Sequence, residues 1–167
     1  EYTPEIASAL DIYADEMTTH TDIRPMLRIK CANEEIKHIL KNLYHNVLNI
    51  EQNLFGYCRT MCKYGDFFLK LDINEKYGIT NVEPLSSYDV ARVEGEDPEN
   101  PYYTKFVLES GDIRQTQQGA KTEFENYEIA HFRMISDSNF LPYGRSMLEG
   151  GRKVWKQMSL MEDAMLI

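Results

Sequence analysis

Gly65-Asp66-Phe67-Phe68-Leu69-Lys70-Leu71-Asp72-Ile73 is the stretch where the chain changes its hydrophobic period. Before it, Leu54, Tyr57, Cys58, Met61 and Cys62 recur at helical spacing, so residues from about Glu51 to Tyr64 read as a helix. Gly65 then supplies the residue that most often ends a helix, because it adopts positive φ without a Cβ penalty. From there Phe67, Leu69, Leu71 and Ile73 alternate with Phe68, Lys70 and Asp72, the period of a half-buried strand.

Working upstream, Thr3 and Pro4 open a first helix with Ile6, Leu10, Tyr13 and Met17 on one face, ending near Thr18-Thr19-His20-Thr21. Pro25 precedes Met26 to Cys31, whose alternation predicts a strand. Asn33 caps a second helix with Glu34 and Glu35 at its positive end. Its apolar positions are Ile36, Ile39, Leu40, Leu43, Tyr44, Val47 and Leu48, and it joins the third helix as a hairpin or a bent unit around Asn49.

Downstream, Tyr88 to Val93, Tyr102 to Glu109 and Glu123 to Met134 are predicted as strands. The polar, Pro-rich segment from Glu94 to Pro101 is a loop, Ser110-Gly111-Asp112 a turn, and Gln115 to Ala120 a polar tip. Ser136 to Asn139 is a loop, and Pro142-Tyr143-Gly144 leads into a last helix. Helices, then antiparallel sheet, then a long helix define an α+β chain rather than alternating βαβ units. The division expected is an α+β body over residues 1–145, with N-terminal helices packed on an antiparallel sheet, and a long amphipathic helix over 146–167.

That last helix has a seam at Met147, Gly151, Val154, Met158, Met161 and Met165, widened by Leu148, Trp155 and Leu166. Alternating steps of four and three describe a helix that packs along its length. No Gly, Asn or Pro stop follows Met165, so the helix is expected to continue and the chain reads as a piece of a longer protein. Gly150 and Gly151 fall inside a helical pattern and are not part of a GxxxxGK[ST] phosphate loop. A small residue in the seam permits a bend or close packing, and close packing fits better. Arg145, Arg152 and Lys156 form a basic stripe opposite the seam, with Glu149 in pairing range. Such a stripe is either a solvated face or a contact with nucleic acid or a neighbouring subunit.

At 43% apolar and 27% charged residues, the composition is that of an ordinary soluble globular domain. The net charge of −9 argues against tight grip on nucleic acid. Three cysteines without a secretion signal point to a reducing compartment, and no apolar run spans a bilayer. Cys58 and Cys62 share a helix face and could hold a soft metal, which would make a metal enzyme conceivable. A zinc site wants four ligands, however, and Cys31, His20, His38, His45 and His131 show no ligand spacing. Both cysteines also lie on the apolar stripe, which favours inert burial. No nucleophile elbow, EF-hand or acid–base pair is present, so no catalytic, cofactor or metal site is expected.

Three segments carry a family resemblance. Ile129-Ala130-His131-Phe132-Arg133 is followed by Tyr143-Gly144-Arg145-Ser146-Met147-Leu148-Glu149 and then Leu160-Met161-Glu162-Asp163-Ala164-Met165-Leu166-Ile167. Glu5 to Glu16 and Gly65 to Asp72 agree with them. In this order and spacing the chain resembles the portal proteins of T-even-like contractile-tailed bacteriophages, in which a strand ending in an apolar-His-Phe segment leads through a loop to "G-x-S-x-L-E" opening a helix. The stretch from Asn74 to Thr122 carries little of the resemblance.

The resemblance implies a non-catalytic structural subunit of a ring, usually of twelve copies, at the unique vertex of the virion head. Double-stranded DNA passes through its channel. Implied partners are the ring itself, the large terminase, the major capsid and scaffolding proteins, and the head-completion and neck proteins, with assembly in the host cytoplasm. The region matched is the wing leading toward the stem, without the clip where the terminase docks. By this reading Arg145, Arg152 and Lys156 are subunit-interface or channel-facing residues. The other reading kept open is a portal-derived interaction module without a packaging role.

Overall fold

A computed structural model describes residues 3–20, 26–96, 98–109, 121–135 and 140–165. The turn at Ser110 to Asp112, the polar tip at Gln115 to Ala120, the loop at Ser136 to Asn139 and the end at Leu166-Ile167 lie outside the described residues.

Helix α1 (Pro4–Met17) starts with Pro at its first turn and packs Leu10 and Ala14 inward. Helix α2 (Glu34–Lys41) is capped by the Asn33 side chain, which accepts from Glu35 N and Ile36 N. The second helix does not run on to Leu48 as one α-helix. It passes into a π-helical segment, Asn42–Val47, closed by Leu48 N to Leu43 O at 2.9 Å. Asn49 then takes φ +48° and breaks the chain direction before α3 (Ile50–Tyr64). An asparagine is one of the few residues that tolerate that conformation. The bend expected at Asn49 is therefore a sharp left-handed break.

Among the described residues six strands follow: β1 (Asp66–Asn74), β2 (Gly78–Leu85), β3 (Val90–Glu94), β4 (Thr104–Glu109), β5 (Lys121–Glu125) and β6 (Ile129–Arg133). They form two three-stranded antiparallel sheets, ordered β2-β1-β6 and β3-β4-β5. β1 pairs Phe68 with Leu85 on one side and with His131 on the other, and a bulge falls between Asp72 and Ile73 on the β2 side. In the second sheet Phe106 pairs with Arg92 and Phe124.

Three expectations need correction, and one strand is new. Met26 to Cys31 is irregular rather than a strand. Its Met26 N–H donates to the Glu51 carboxylate at 2.9 Å, so a side chain rather than a sheet partner anchors it. The strand Glu123 to Met134 is two strands, β5 and β6, in different sheets. They are split by a turn in which Glu128 N donates to Glu125 O, while the Glu128 carboxylate accepts from Glu125 N. β2 went unread because Asn81 and Pro84 obscure its pattern, and Pro84 is tolerated there because β2 is an edge strand. Finally, β1 is more deeply buried than alternation suggests in its first half, where Asp66 to Leu69 are all buried, and opens to solvent by Ile73 and Asn74.

That burial on both faces locates the core. One face of β1, with Phe67 and Leu69, meets the helices, and Tyr57 of α3 stacks on Phe67 at 4.8 Å between centroids. The other face sends Phe68, 1% exposed, into a cluster with Val90, Phe106 and Ile129 between the two sheets. Leu85, Leu108 and Phe124 close around it. β1 is thus the middle layer of a helix–sheet–sheet stack, and α1 packs outside α3. After β6 the chain enters a 3-10 turn, Met147–Gly151, and then α4, Arg152–Met165. Among the described residues no helix is long and apolar enough to cross a membrane.

Candidate functional site: a buried junction and a projecting helix

Every segment that carries the resemblance from Gly65 to Glu149 converges where β1, β6 and the 3-10 turn meet. Asp66 opens β1 directly after the Gly65 cap and is 8% exposed. Its Oδ1 accepts from His131 Nε2 at 2.7 Å and from Gly144 N at 2.9 Å. The other ring nitrogen of His131, Nδ1, faces Arg92 Nη1 at 3.4 Å. A guanidinium can only donate, so Nδ1 accepts and the ring proton sits on Nε2, shared with Asp66. Arg92 is held in turn by Glu94, and its backbone N–H donates to the Tyr143 hydroxyl at 2.9 Å. The His131 ring stacks on Phe68 at 4.4 Å, which joins this polar network to the inter-sheet core.

The backbone closes the same junction. Met134 N donates to Gly65 O at 2.8 Å, and Arg145 N donates to Met134 O at 3.1 Å. Gly65 takes φ +87°, and a Cβ built there would lie 2.6 Å from Arg145 C and Ser146 N. A Cβ on Gly144 would lie 2.1 Å from Gly65 O. Both positions are therefore closed to any side chain, for reasons of contact rather than of turn chemistry alone. Ser146 completes the lock: its Oγ donates to Lys63 O at 2.6 Å and accepts from Leu148 N at 3.1 Å. One hydroxyl thus ties the end of α3 to the start of the turn that carries α4.

An Asp–His pair becomes a base when the far nitrogen meets a nucleophile, and here it meets Arg92. Cys58 lines an apolar cleft of about 490 Å³ between α3 and the first sheet, and Cys62 is fully buried. Burial pushes both thiols up, which keeps them protonated and poor ligands at neutral pH. Among the described residues no group of three or more His, Cys, Asp or Glu side chains could hold a metal ion.

Beyond the junction the character reverses. Every residue of α4 is exposed. The seam residues Val154, Met158, Met161 and Met165 are 66%, 40%, 64% and 84% exposed, and Met147 is 36% exposed. A Cβ on Gly151 would meet nothing within 4 Å. Arg152 leans on Glu149 at 3.4 Å, while Arg145 sits over the Phe140 ring at 5.6 Å. The structure therefore does not gather Arg145, Arg152 and Lys156 into one pocket. Sequence reading picked out this helix but missed Asp66, His131, Arg92 and Tyr143 as partners. Histidine spacing could not reveal them, because they are brought together by strand pairing across 65 residues. The recurring motifs were the available signal.

An α+β body thus fixes the root of an exposed helix through backbone and side-chain hydrogen bonds. The sequence matches the bacteriophage T4-like portal protein (Gp20) family over residues 1–167, and the chain belongs to that family. Two solved structures share the fold at 15% identity. One is described as the neck of an empty GTA particle computed with C6 symmetry, with a TM-score of 0.65 over 98% of this chain and 42% of that one. The other is the virion of a native gene transfer agent (GTA) particle, with a TM-score of 0.63 over 98% of this chain and 41% of that one. The chain spans about two fifths of those relatives. No curated protein matches. The family is a structural one, whose members are portal proteins of bacteriophage-like particles, and the α+β class and the portal resemblance both stand.

Proposed function

We propose that residues 1–145 form the wing-like body of a portal subunit and that residues 146–167 begin a helix running toward the stem of a ring. One observation carries this: a helix with a continuous apolar seam is anchored rigidly at its root and left uncovered along its length. Monomeric proteins rarely expose such a stripe, and a neighbouring subunit is the natural cover. The ring is of the twelve-fold kind implied for such subunits, at the virion vertex, with DNA passing through its channel. The terminase, capsid, scaffolding and neck proteins would engage surfaces of the complete subunit, assembled in the host cytoplasm. The body's net charge of −9 per copy supports a channel structure that does not hold DNA tightly.

The test uses the complete subunit. Wild-type protein should form rings on a sizing column and by electron microscopy. The double change Val154→Asp and Met161→Asp should leave folded monomers with the far-ultraviolet circular dichroism of wild type, since both sites are exposed within residues 1–167. A wild-type subunit that stays monomeric, or a double mutant that still forms rings, would overturn the proposal.

A further inference from the structure

Helices α1 and α4 present opposite charge to solvent. α1 carries Glu5, Asp11, Asp15 and Glu16 and contains no Lys or Arg. Asp11 is engaged by Arg59. Leu10 and Ala14 face inward, so Glu5, Asp15 and Glu16 surround Ile12, 63% exposed, on the outer side. α4 opens with Arg152, Lys153 and Lys156 and has no acid before Glu162. These three cations are exposed, and the far side of the helix also carries Leu160 at 68% exposure. Arg152 is exposed, and its 3.4 Å pair with half-buried Glu149 holds it weakly.

We infer that the basic face of α4 in one copy lies against the acidic outer face of α1 in a neighbouring copy. This rests on the ring reading above and names the two surfaces that would meet. They are different patches of the same chain, which is the heterologous geometry that closes into rings rather than paired dimers. Charge sets the register and steers the encounter, while Ile12 and Leu160 supply apolar contact at the centre. Phosphates could also attract the cations, but DNA on α4 would leave the acidic α1 face unpaired.

The experiment is a charge-reversal cycle in the complete subunit, read as ring fraction by mass photometry, with melting temperature as the control for folding. Lys153→Glu with Lys156→Glu, and separately Asp15→Lys with Glu16→Lys, should each lower ring assembly by about tenfold or more. All four changes together should return it to within about threefold of wild type. Wild-type-like rings from either double mutant, or a quadruple mutant no better than the doubles, would overturn the inference. Intact rings that lose only DNA retention on basic-face reversal would place α4 on the channel and overturn it too. A wild-type subunit without rings would sink the ring reading and this pairing together. A ring-forming wild type without rescue would sink the pairing alone.

Discussion

At Gly144 one added carbon would sit 2.1 Å from the Gly65 carbonyl oxygen, whereas at Gly151, seven residues on, it would meet nothing within 4 Å. Both are glycines in the same motif-bearing stretch, yet sequence alone offers a packing reason only for Gly151. Only the first is a packing position in this chain. The junction around Asp66 and His131 is satisfied within the subunit. The helix that it anchors is left to find partners elsewhere. A subunit that assembles needs both: a root stiff enough to aim the helix, and a helix not already covered.

Four substitutions would break or sharpen that contrast. Gly144→Val should be the most damaging, because the strand pairing around Gly65 must separate to admit it. A loss above about 4 kcal/mol, or failure to fold, is expected in urea unfolding. A mutant that unfolds like wild type would show that the junction is pliable. Phe68→Ala removes the ring that fills the inter-sheet cluster, and should cost about 3–5 kcal/mol by the same measurement. Asp66→Asn keeps the shape but weakens acceptance from His131 and Gly144 N, and about 1–3 kcal/mol should be lost. Retention of full stability would mean that the charge at Asp66 is dispensable. Gly151→Leu should shift the stability of the single chain by less than about 1 kcal/mol, since open space surrounds the site. The seam read from sequence predicts damage there, and a small shift would leave its packing to a surface outside residues 1–167. A large loss in the monomer would instead show that α4 folds back onto its own body.

Much of the fold was legible because period is a local property. The change from three- and four-residue steps to alternation at Gly65 placed α3 and β1 correctly, and Asn33 and Pro4 marked helix starts. What failed was local pattern without its partner. Met26 to Cys31 alternates but has a carboxylate anchor in place of a sheet neighbour. Residues 123–134 read as one strand, although Glu128 folds back on Glu125 and the two halves join different sheets. His131 looked isolated in sequence because its partners arrive from β1, β3 and the loop after β6.

By itself, the sequence determined the α+β order, the family, the absence of a recognisable reactive motif and the amphipathic stripe of α4. Each depends on residue identity and spacing along one stretch of chain. Only the tertiary structure decided that the first half of β1 is buried on both faces, that Asp66, His131 and Arg92 form one network, and that the α4 seam is exposed. Those depend on which distant surfaces meet, and a hydrophobic stripe in a sequence shows that burial is favourable without showing whether the covering surface lies in the same chain.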